Sequence, residues 1–344
     1  MSKQRNILII YTGGTIGMKK TPQGYSPESG YLQKLMQARP ELNGEHLPRY
    51  RTIELDPLLD SSNMAPKDWL KIARALRDHY NNYDGFLVIH GTDTMAYSSS
   101  ALSFLLPDLN KPVIFTGSQI PLQEIRNDGV DNLLCSLLYL QQYGHRLSGV
   151  TLCFAGQLMR ANRSTKVSAK DYSGFATPNL PLIGDAVIGF ELALDWSLAE
   201  ASGTQCNDLA PLPSGNANVA VFKLFPGMTP AFVRAVLAAP LQGVVLECYG
   251  GGNGPDGNAE IMAEFKAASD RGVVMVAVTQ PALGSVNLDL YAAGVALKEV
   301  GVISGFDMTT EAALTKLYTM LCRFDDLETV KQQMATNVKG ELSQ

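Results

Sequence analysis

Residues 7–17 read ILIIYTGGTIG, a run of four aliphatic residues that leads into two threonines placed around a pair of glycines. A short apolar run bounded by glycine is typical of a strand buried on both faces of a parallel sheet. The glycine turn presents N–H groups and hydroxyls at the carboxyl end of that strand, where ligands bind in open α/β sheets. The turn could hold a nucleotide phosphate, could carry a hydroxyl nucleophile, or could be only a tight connection.

The same alternation of apolar runs and amphipathic stretches continues along the chain. Apolar runs occupy 6–11, 85–91, 112–117, 149–156, 218–227, 243–252 and 272–280, and helix-like segments occupy 65–80, 94–106, 130–143, 229–238 and 258–270. Strands that alternate with helices predict parallel α/β layers. The stretch 194–217 is rich in Ser, Gly, Pro and Asn and has no sustained period.

We therefore predict two α/β domains. The larger N-terminal domain, 1–193, is expected to carry the catalytic site on a mainly parallel sheet. The stretch 194–217 is expected to be a linker, and 218–344 a smaller C-terminal α/β domain.

The composition excludes several classes of partner. Of 344 residues, 46% are hydrophobic and 18% are charged, as in a folded globular protein. A formal net charge of -5 gives no basic footprint, so we expect neither nucleic acid nor a membrane surface as a partner. No segment approaches the ~20 apolar residues of a membrane span, and the N-terminal apolar run is shorter than the core of a signal peptide. We expect a cytoplasmic protein that acts on small solutes.

The sequence also indicates neither a metal nor a cofactor. The five cysteines, at 135, 153, 206, 248 and 322, have no CxxC spacing, and the chain contains no HExxH motif. TGGTIG lacks the spacing of a dinucleotide fingerprint and the lysine of a phosphate loop. The hypothesis of a nucleotide site therefore rests only on the succession of a strand, a glycine turn and a helix.

Polar clusters follow other predicted strands and precede helices. Thr92 and Asp93 lie in HGTDTM, where either could simply cap the helix that follows. The trio Asp60, Ser61 and Ser62 could cap the next helix in the same way. The segment TGSQ at 116–119 brings further hydroxyls and an amide to the same sheet edge.

Two other groups have both a structural and a functional interpretation. His90 closes an apolar strand, and no GxSxG motif supplies a serine for a catalytic triad, so we expect a hydrogen-bonded core histidine. Lys166 lies near Arg160 and Arg163 in a run that is usually a solvated basic face. A lysine beside an aspartate in a dry cleft would instead tune proton affinities.

Five segments in this order resemble the bacterial L-asparaginase family, most closely its cytoplasmic type I branch. They are YTGGTIGM at 11–18, LDSSNM at 59–64, DGFLVIHGTDTMAYSSSALSF at 84–104, KPVIFTGSQIP at 111–121 and DMTTEAALTKL at 307–317. The resemblance covers nearly the whole chain and weakens across the linker and near the C-terminus. It implies a cofactor-free amidohydrolase that converts L-asparagine to L-aspartate and ammonia through a threonine acyl-enzyme.

The resemblance also implies catalytic residues. Thr15 matches the nucleophile, and Thr92, Asp93 and Lys166 match a second centre in which a threonine hydroxyl is linked to lysine and aspartate. Tyr25 matches a tyrosine that a mobile loop closes over the nucleophile, and the polar segment 17–30 suits such a lid. A threonine hydroxyl needs a base, and the residues leave open whether Tyr25 or Thr92 with Lys166 provides it.

The turn around the nucleophile also suits the developing oxyanion. Gly13 and Gly14 are expected to allow close backbone approach and to make room for an amide substrate. The N–H of Thr92 is one candidate donor to the oxyanion.

Substrate binding follows from the same resemblance. Asp93 is expected to bind the α-ammonium group of the substrate. The Asp60 backbone, Ser61 and Ser62 are expected to surround its α-carboxylate. Asn253 is expected to approach the substrate of a neighbouring subunit, which implies a homodimer or a homotetramer.

The chain departs from the pattern at one place and leaves alternatives open. Relatives with a separate allosteric asparagine site are expected to have arginine at Glu247 and cysteine at Pro281, so we expect weak cooperativity or none. A glutaminase or broader amidase, a nucleotide-binding protein and a non-catalytic amino-acid sensor are the competing hypotheses. Retention of Thr15, Thr92, Asp93 and Lys166 together argues against the sensor.

Overall fold

The computed structural model describes residues 3–22, 24–186, 189–193, 209 and 211–343. They belong to two compact units, Met1–Leu212 and Pro213–Gln344, each with its own sheet and hydrophobic core. The predicted fold class, a larger α/β domain with a mainly parallel sheet and a smaller α/β domain, is confirmed. The predicted linker over 194–217 lies largely outside the described residues, so the domain bounds stay a prediction.

The strands of the first unit are β1 Asn6–Gly13, β2 Met18–Thr21, β3 Gly24–Pro27, β4 Arg49–Leu59, β5 Gly85–Ile89, β6 Pro112–Thr116, β7 Gly149–Phe154, β8 Gln157–Arg160, β9 Thr165–Lys166, β10 Phe175–Ala176, β11 Gly184–Asp185 and β12 Glu191–Leu192. Its α-helices are α1 Tyr31–Gln37, α2 Pro66–Asp78, α3 Met95–Leu105 and α4 Gly129–Tyr143. Short 3₁₀ turns include Thr15–Gly17 and Ser61–Asn63.

The second unit alternates strands and helices. Its strands are β13 Val219–Lys223, β14 Gly243–Cys248, β15 Val274–Thr279 and β16 Val302–Ser304. Its helices are α5 Pro230–Val236, α6 Ala259–Asp270, α7 Ala292–Glu299, α8 Thr310–Arg323 and α9 Leu327–Ala335. The four strands are parallel and adjacent in chain order.

The strand order of the main sheet in the first unit creates a binding crevice. Within the described residues the order is β12-β11-β8-β7-β6-β5-β1-β4. The strands from β7 to β4 are parallel, and β8, β11 and β12 continue the sheet antiparallel. The chain adds β4 on one side of β1 and then crosses over to add β5 on the other. Such a reversal opens a crevice at the carboxyl ends of β1 and β5, where ligands bind in open α/β sheets.

The apolar run of β1 reflects burial on both faces of this sheet. Ile7 and Ile9 share one core cluster with Leu137 of α4. Leu8 and Ile10 alternate with them and are equally buried, so they face the opposite layer, where α2 packs. The second unit is layered in the same way, because alternate residues of β14 enter two separate clusters.

Several strands were not predicted, among them those of the hairpin β2–β3 and the edge strand β4. The segment expected to be a polar loop forms the antiparallel hairpin β2–β3, in which Lys19 pairs with Glu28 at 3.0 Å. β4 was missed because RYRTIELDPLL carries charges and Pro57. An edge strand tolerates both, since one of its sides has no strand partner.

Candidate active site

Thr15 and Thr92 follow two neighbouring strands. β1 ends at Gly13, just before the 3₁₀ turn that begins at Thr15, and β5 ends at Ile89, three residues before Thr92. The two strands pair in parallel, with Tyr11 opposite Ile89, so both segments leave the sheet at the same edge. That edge is the crevice created by the strand order.

Glycines hold three segments of this edge in contact. A Cβ on Gly13 would lie 2.1 Å from the carbonyl oxygen of Leu59, and one on Gly14 would lie 2.4 Å from the nitrogen of Gly91. A Cβ on Gly91 would lie 2.5 Å from the hydroxyl oxygen of Ser61. Close backbone approach therefore occurs as expected. The chain itself occupies the Cβ positions of Gly13 and Gly14, and room for an amide substrate beside the turn stays a prediction.

The two threonines of the turn have different surroundings. Thr12 is buried, and its hydroxyl donates to the carbonyl oxygen of Ile89 at 3.1 Å. Thr15 is half-buried, and its hydroxyl makes no hydrogen bond with any residue in the described part of the chain. The Thr12 hydroxyl thus stabilises the contact between strands, whereas the Thr15 hydroxyl is available to a ligand.

Lys166 joins the two side chains that the resemblance groups with it. Its Nζ donates to Thr92 Oγ1 at 2.9 Å and to Asp93 Oδ1 at 2.7 Å. The solvated basic face does not form, because Arg163 is buried and the Lys166 side chain is only 20% exposed. Neither Thr92 nor Asp93 caps α3, whose N-cap position is Thr94.

Gln119 extends this cluster, and its part was not predicted. The Thr92 hydroxyl accepts from Lys166 and donates to Gln119 Oε1 at 3.3 Å. The Gln119 amide nitrogen donates to the carbonyl oxygens of Ser168 and Asp171, each at 3.2 Å, which turns its oxygen toward Thr92. The signal was in the sequence, since TGSQ follows β6, the strand next to β5.

Asp128 holds the turn that carries Gln119. Its carboxylate accepts from the N–H of Gln119 at 2.9 Å and from the N–H of Ile120 at 3.0 Å. Asn132, one turn along α4, donates to Asp128 and to the carbonyl oxygen of Gly117. The buried side chains of Asp128 and Asn132 thus fix the loop after β6 and, with it, the position of Gln119.

The polar trio before α2 forms a 3₁₀ turn with its own cap. Asp60 Oδ1 accepts from the N–H of Ser62 at 2.9 Å and from its hydroxyl at 3.0 Å. The carbonyl oxygen of Ser61 accepts from the Thr94 hydroxyl at 2.8 Å. The predicted cap of α2 is wrong, because the N-cap of that helix is Ala65 and Asp60 caps only the 3₁₀ turn. The bond from Thr94 and the close packing of Gly91 on Ser61 hold the trio against the segment that carries Thr92.

Tyr25 lies on β3, beside the 3₁₀ turn of Thr15. Its hydroxyl donates to Glu124 Oε1 at 2.7 Å, and 42% of the residue is exposed. That hydrogen bond is the main cause that raises the pKa of the Tyr25 phenol above its usual value. In the described part of the chain, Tyr25 therefore bonds to Glu124 and makes no hydrogen bond to Thr15.

Two residues singled out above lie in the second unit. Asn253 follows β14 in a turn where Asn253 and Tyr249 exchange backbone hydrogen bonds of 2.9 and 3.1 Å. Its contact with substrate requires a neighbouring subunit, so that role stays a prediction. Glu247 accepts from the Thr310 hydroxyl at 2.7 Å and lies 4.0 Å from Lys223.

His90 is the hydrogen-bonded core histidine that the sequence predicted. Its side chain is fully buried, and Nδ1 lies 2.7 Å from the carbonyl oxygen of Gly91. The ring packs against Phe115 at a centroid distance of 6.0 Å. Burial lowers the pKa of His90 to about 4, against the opposing effect of the bond to Gly91. The imidazole is therefore neutral near pH 7.

No three His, Cys, Asp or Glu side chains among the described residues lie close enough together to hold a metal ion. Every helix there is too short or too polar to span a bilayer.

Comparison with known proteins identifies the family. Residues 6–199 match the asparaginase N-terminal family model, and residues 218–334 match the glutaminase/asparaginase C-terminal domain model. The chain is 44% identical to L-asparaginase 1 of Escherichia coli (strain K12) over 99% of both chains. It is 39% identical to the 60 kDa lysophospholipase of Homo sapiens over 99% of this chain and 62% of that protein.

A solved structure gives the same result for the fold. L-asparaginase I from Vibrio cholerae superposes with a TM-score of 0.87 and 42% identity, over 99% of this chain and 100% of that one. Both family models, the long alignments and the superposition agree with the motifs at the crevice. The chain belongs to the asparaginase family.

Proposed function

We propose that this protein hydrolyses L-asparagine to L-aspartate and ammonia through an acyl-enzyme on Thr15. The observation that carries the proposal is an uncommitted threonine hydroxyl and a bonded Thr92–Lys166–Asp93 cluster at the same sheet edge. Similarity to L-asparaginases over nearly the whole chain supports it. Thr15 is favoured over Thr12 because Ile89 already engages the Thr12 hydroxyl.

The reaction has two halves. Thr15 Oγ1 first attacks the side-chain amide carbon of asparagine and loses its proton to a base. The tetrahedral intermediate then breaks its C–N bond, and the nitrogen takes up a proton and leaves as ammonia. Water attacks the ester that remains, its C–O bond to Thr15 breaks, and aspartate leaves as Thr15 regains a proton.

We assign the proton transfer to Thr92 and Lys166. A lysine ammonium can only donate, so this route requires Lys166 in its amine form. Thr15 then gives its proton to Thr92 as Thr92 gives its own to Lys166, whose nitrogen lies 2.9 Å away. Asp93, at 2.7 Å from the same nitrogen, stabilises the ammonium that results. Tyr25 with Glu124 is the alternative acceptor.

The N–H of Thr92 is assigned to the developing oxyanion. It donates to no backbone or side-chain acceptor among the described residues. The Gly91 backbone, which precedes it, packs directly on Gly14, the neighbour of Thr15. A preorganised donor of this kind is worth about 10²–10³ in kcat.

The charged ends of asparagine need separate partners. Asp93 uses Oδ1 for Lys166, and its side chain is 64% exposed, so Oδ2 is assigned to the α-ammonium group. The Asp60 backbone, Ser61 and Ser62 are assigned to the α-carboxylate. Both donors of Ser62 are engaged by the Asp60 carboxylate, whereas Ser61 donates to no described residue. Ser61 is therefore the stronger candidate of the two serines.

The working assembly is proposed to be a cytoplasmic homodimer or homotetramer. Asn253 of one subunit would then approach the substrate held by its neighbour. The large apolar side chains of Leu283, Leu290 and Tyr291 are more than half exposed, and a subunit contact would bury them. Light scattering during gel filtration tests this, and a monomer at working concentration would contradict it.

L-glutamine is the second candidate substrate. The matching C-terminal family model is described for glutaminase as well as asparaginase. Glutamine is one methylene longer, and a pocket discriminates one methylene by about 10–200-fold. The ratio of kcat/KM for the two amides decides between an asparaginase and a glutaminase.

The decisive experiment measures ammonia release from asparagine by the wild type, Thr15→Ala and Thr12→Val. We expect Thr15→Ala to lose at least about 10³-fold in kcat, since the nucleophile is gone. Thr12→Val is the matched control, because it removes the other hydroxyl of the same turn while keeping its shape. It should keep most of the activity.

Trapping the intermediate completes the test. Protein denatured during turnover should carry an aspartyl ester on Thr15 by peptide mass mapping. Normal turnover by Thr15→Ala, or an ester on another residue, would refute the assignment of the nucleophile. A wild-type protein that releases no ammonia from either amide would refute the function.

A further inference from the structure

One buried group beside the candidate site has no part in the reaction described above. His90 is fully buried, and its Nδ1 lies 2.7 Å from the carbonyl oxygen of the next residue, Gly91. Its Nε2 has no hydrogen-bond partner in the described part of the chain. A carbonyl oxygen can only accept, so Nδ1 carries a hydrogen. A second hydrogen on the buried Nε2 would have no acceptor among the described residues, so the ring is the neutral Nδ1–H tautomer.

The bond from His90 acts on a peptide unit that has two ends. The Gly91 carbonyl and the Thr92 N–H belong to the same peptide group, and in a trans peptide they point in opposite directions. Cis bonds among the described residues are confined to two that precede proline, so this one is trans. Holding the Gly91 oxygen therefore fixes the direction of the Thr92 N–H. Glycine has wide backbone freedom, which makes such an anchor necessary here.

The surroundings show where that N–H is needed. A Cβ on Gly14 would lie only 2.4 Å from the Gly91 nitrogen, so the Gly91 backbone lies next to the turn of Thr15. The Thr92 N–H has no acceptor among the described residues. The side chain of Thr92, meanwhile, is held separately by Lys166 and Gln119.

We propose that His90 is a positioning residue, whose neutral imidazole aims the Thr92 N–H at the oxyanion formed when Thr15 is acylated. The inference rests on the proposed function, because it assigns a task within that reaction. It does not make His90 a base or a nucleophile, since the ring touches neither substrate nor Thr15. Its contribution is to prevent rotation of one peptide group at a flexible glycine.

Three substitutions of His90 distinguish a hydrogen-bond donor at the position of Nδ1 from a donor at the position of Nε2. His90→Asn places an amide nitrogen near the position of Nδ1 and keeps the bond to Gly91. His90→Gln places one near Nε2 and loses that bond, and His90→Leu retains bulk with no donor at all. We expect His90→Asn to stay within about 3-fold of the wild-type kcat, and the other two to lose about 10- to 100-fold.

The measurements have to distinguish a misdirected Thr92 N–H from a general loss of folding or of substrate binding. KM for asparagine and Kd for the product aspartate should change little in all three variants, because ground-state contacts remain. Folding is compared by thermal unfolding, and if His90→Leu does not fold, the Asn and Gln pair still decides. Equal loss in Asn and Gln, or weaker aspartate binding with unchanged kcat, overturns the proposal. An inactive wild type would instead refute the proposed function itself.

Discussion

Gly14 shows how one backbone conformation determines the geometry of the crevice. Its φ is +94°, a conformation that L-residues with a side chain rarely adopt, and its missing Cβ leaves space that the Gly91 backbone occupies. Because Gly91 in turn packs on Ser61, one added methyl group would separate three segments of the site. The sequence pattern indicated a tight turn at this point, but not what lies against it.

Replacing Gly14 by alanine should therefore cost stability as well as activity. We expect a loss of at least about 3 kcal/mol, from backbone strain plus overlap with Gly91. Gly30→Ala is the matched control, since Gly30 also has a positive φ, of 71°, but nothing lies within 4 Å of its Cβ position. It should lose only about 1 kcal/mol. Urea unfolding compares the two, and equal losses would show that packing against Gly91 is unimportant.

His90 should make stability depend on pH between about 4 and 6.5. The folded protein holds the pKa at about 4, whereas the unfolded chain takes up the proton near the ordinary value of 6.5. Because the unfolded state binds more protons in this window, stability is present above 6.5 and is lost as pH falls toward 4. At pH 5 the expected loss of stability, relative to pH 7, is about 2 kcal/mol.

The variant His90→Asn isolates this effect, because its side chain does not titrate. The fall in unfolding temperature between pH 7 and pH 5 should be smaller in the variant than in the wild type. Identical pH profiles for the two proteins would mean that His90 takes up its proton equally well when folded.

At the scale of elements, the long apolar runs specified their own strands and helices. β1, β5, β6 and β7 are buried on both faces, so their patterns needed no knowledge of neighbours. β4 and the strands of the hairpin β2–β3 each pair with one other strand and are partly exposed to solvent. Their sequences mix polar and apolar residues without a clear period. Predicting them required the strand order, which is a property of the whole sheet.

The hairpin leads to a prediction about Tyr25. Because the proton transfer is assigned to Thr92 and Lys166, Tyr25→Phe should lower kcat by less than about 10-fold. The alternative acceptor, Tyr25 with Glu124, would instead require a loss of about 100-fold with little change in KM. Tyr31→Phe is the control, because the Tyr31 hydroxyl makes an equivalent bond to Gln123 at 2.8 Å from the neighbouring helix. It should remain close to wild type. Steady-state kinetics of both variants test this, and equal small losses would reduce Tyr25 to an anchor of the hairpin.

At the scale of the whole molecule, the second unit leads to a prediction about regulation. Glu247, where relatives with an allosteric asparagine site are expected to have arginine, is already engaged by Thr310 and faces Lys223. A carboxylate there would repel the carboxylate of a second asparagine molecule. We therefore expect rates that depend hyperbolically on asparagine concentration, with a Hill coefficient of about 1.

Initial rates over a wide range of asparagine concentration provide the measurement. A sigmoidal curve that becomes hyperbolic in Glu247→Gln would contradict the prediction, because it would locate an effector site at this residue. Cooperativity that survives the change would have to arise elsewhere in the assembly.

The sequence alone determined the α/β class, the main strands and helices, and the motifs that place hydroxyls after two strands. It could do so because two-sided burial and glycine turns leave local patterns. The link of Lys166 to Thr92 and Asp93 was implied by the family resemblance and is seen only in the tertiary structure. Only the tertiary structure decided that Gln119 joins them and that Thr12 is committed to Ile89. Those contacts join residues up to 77 positions apart, and no local pattern records which side chains a sheet edge brings together.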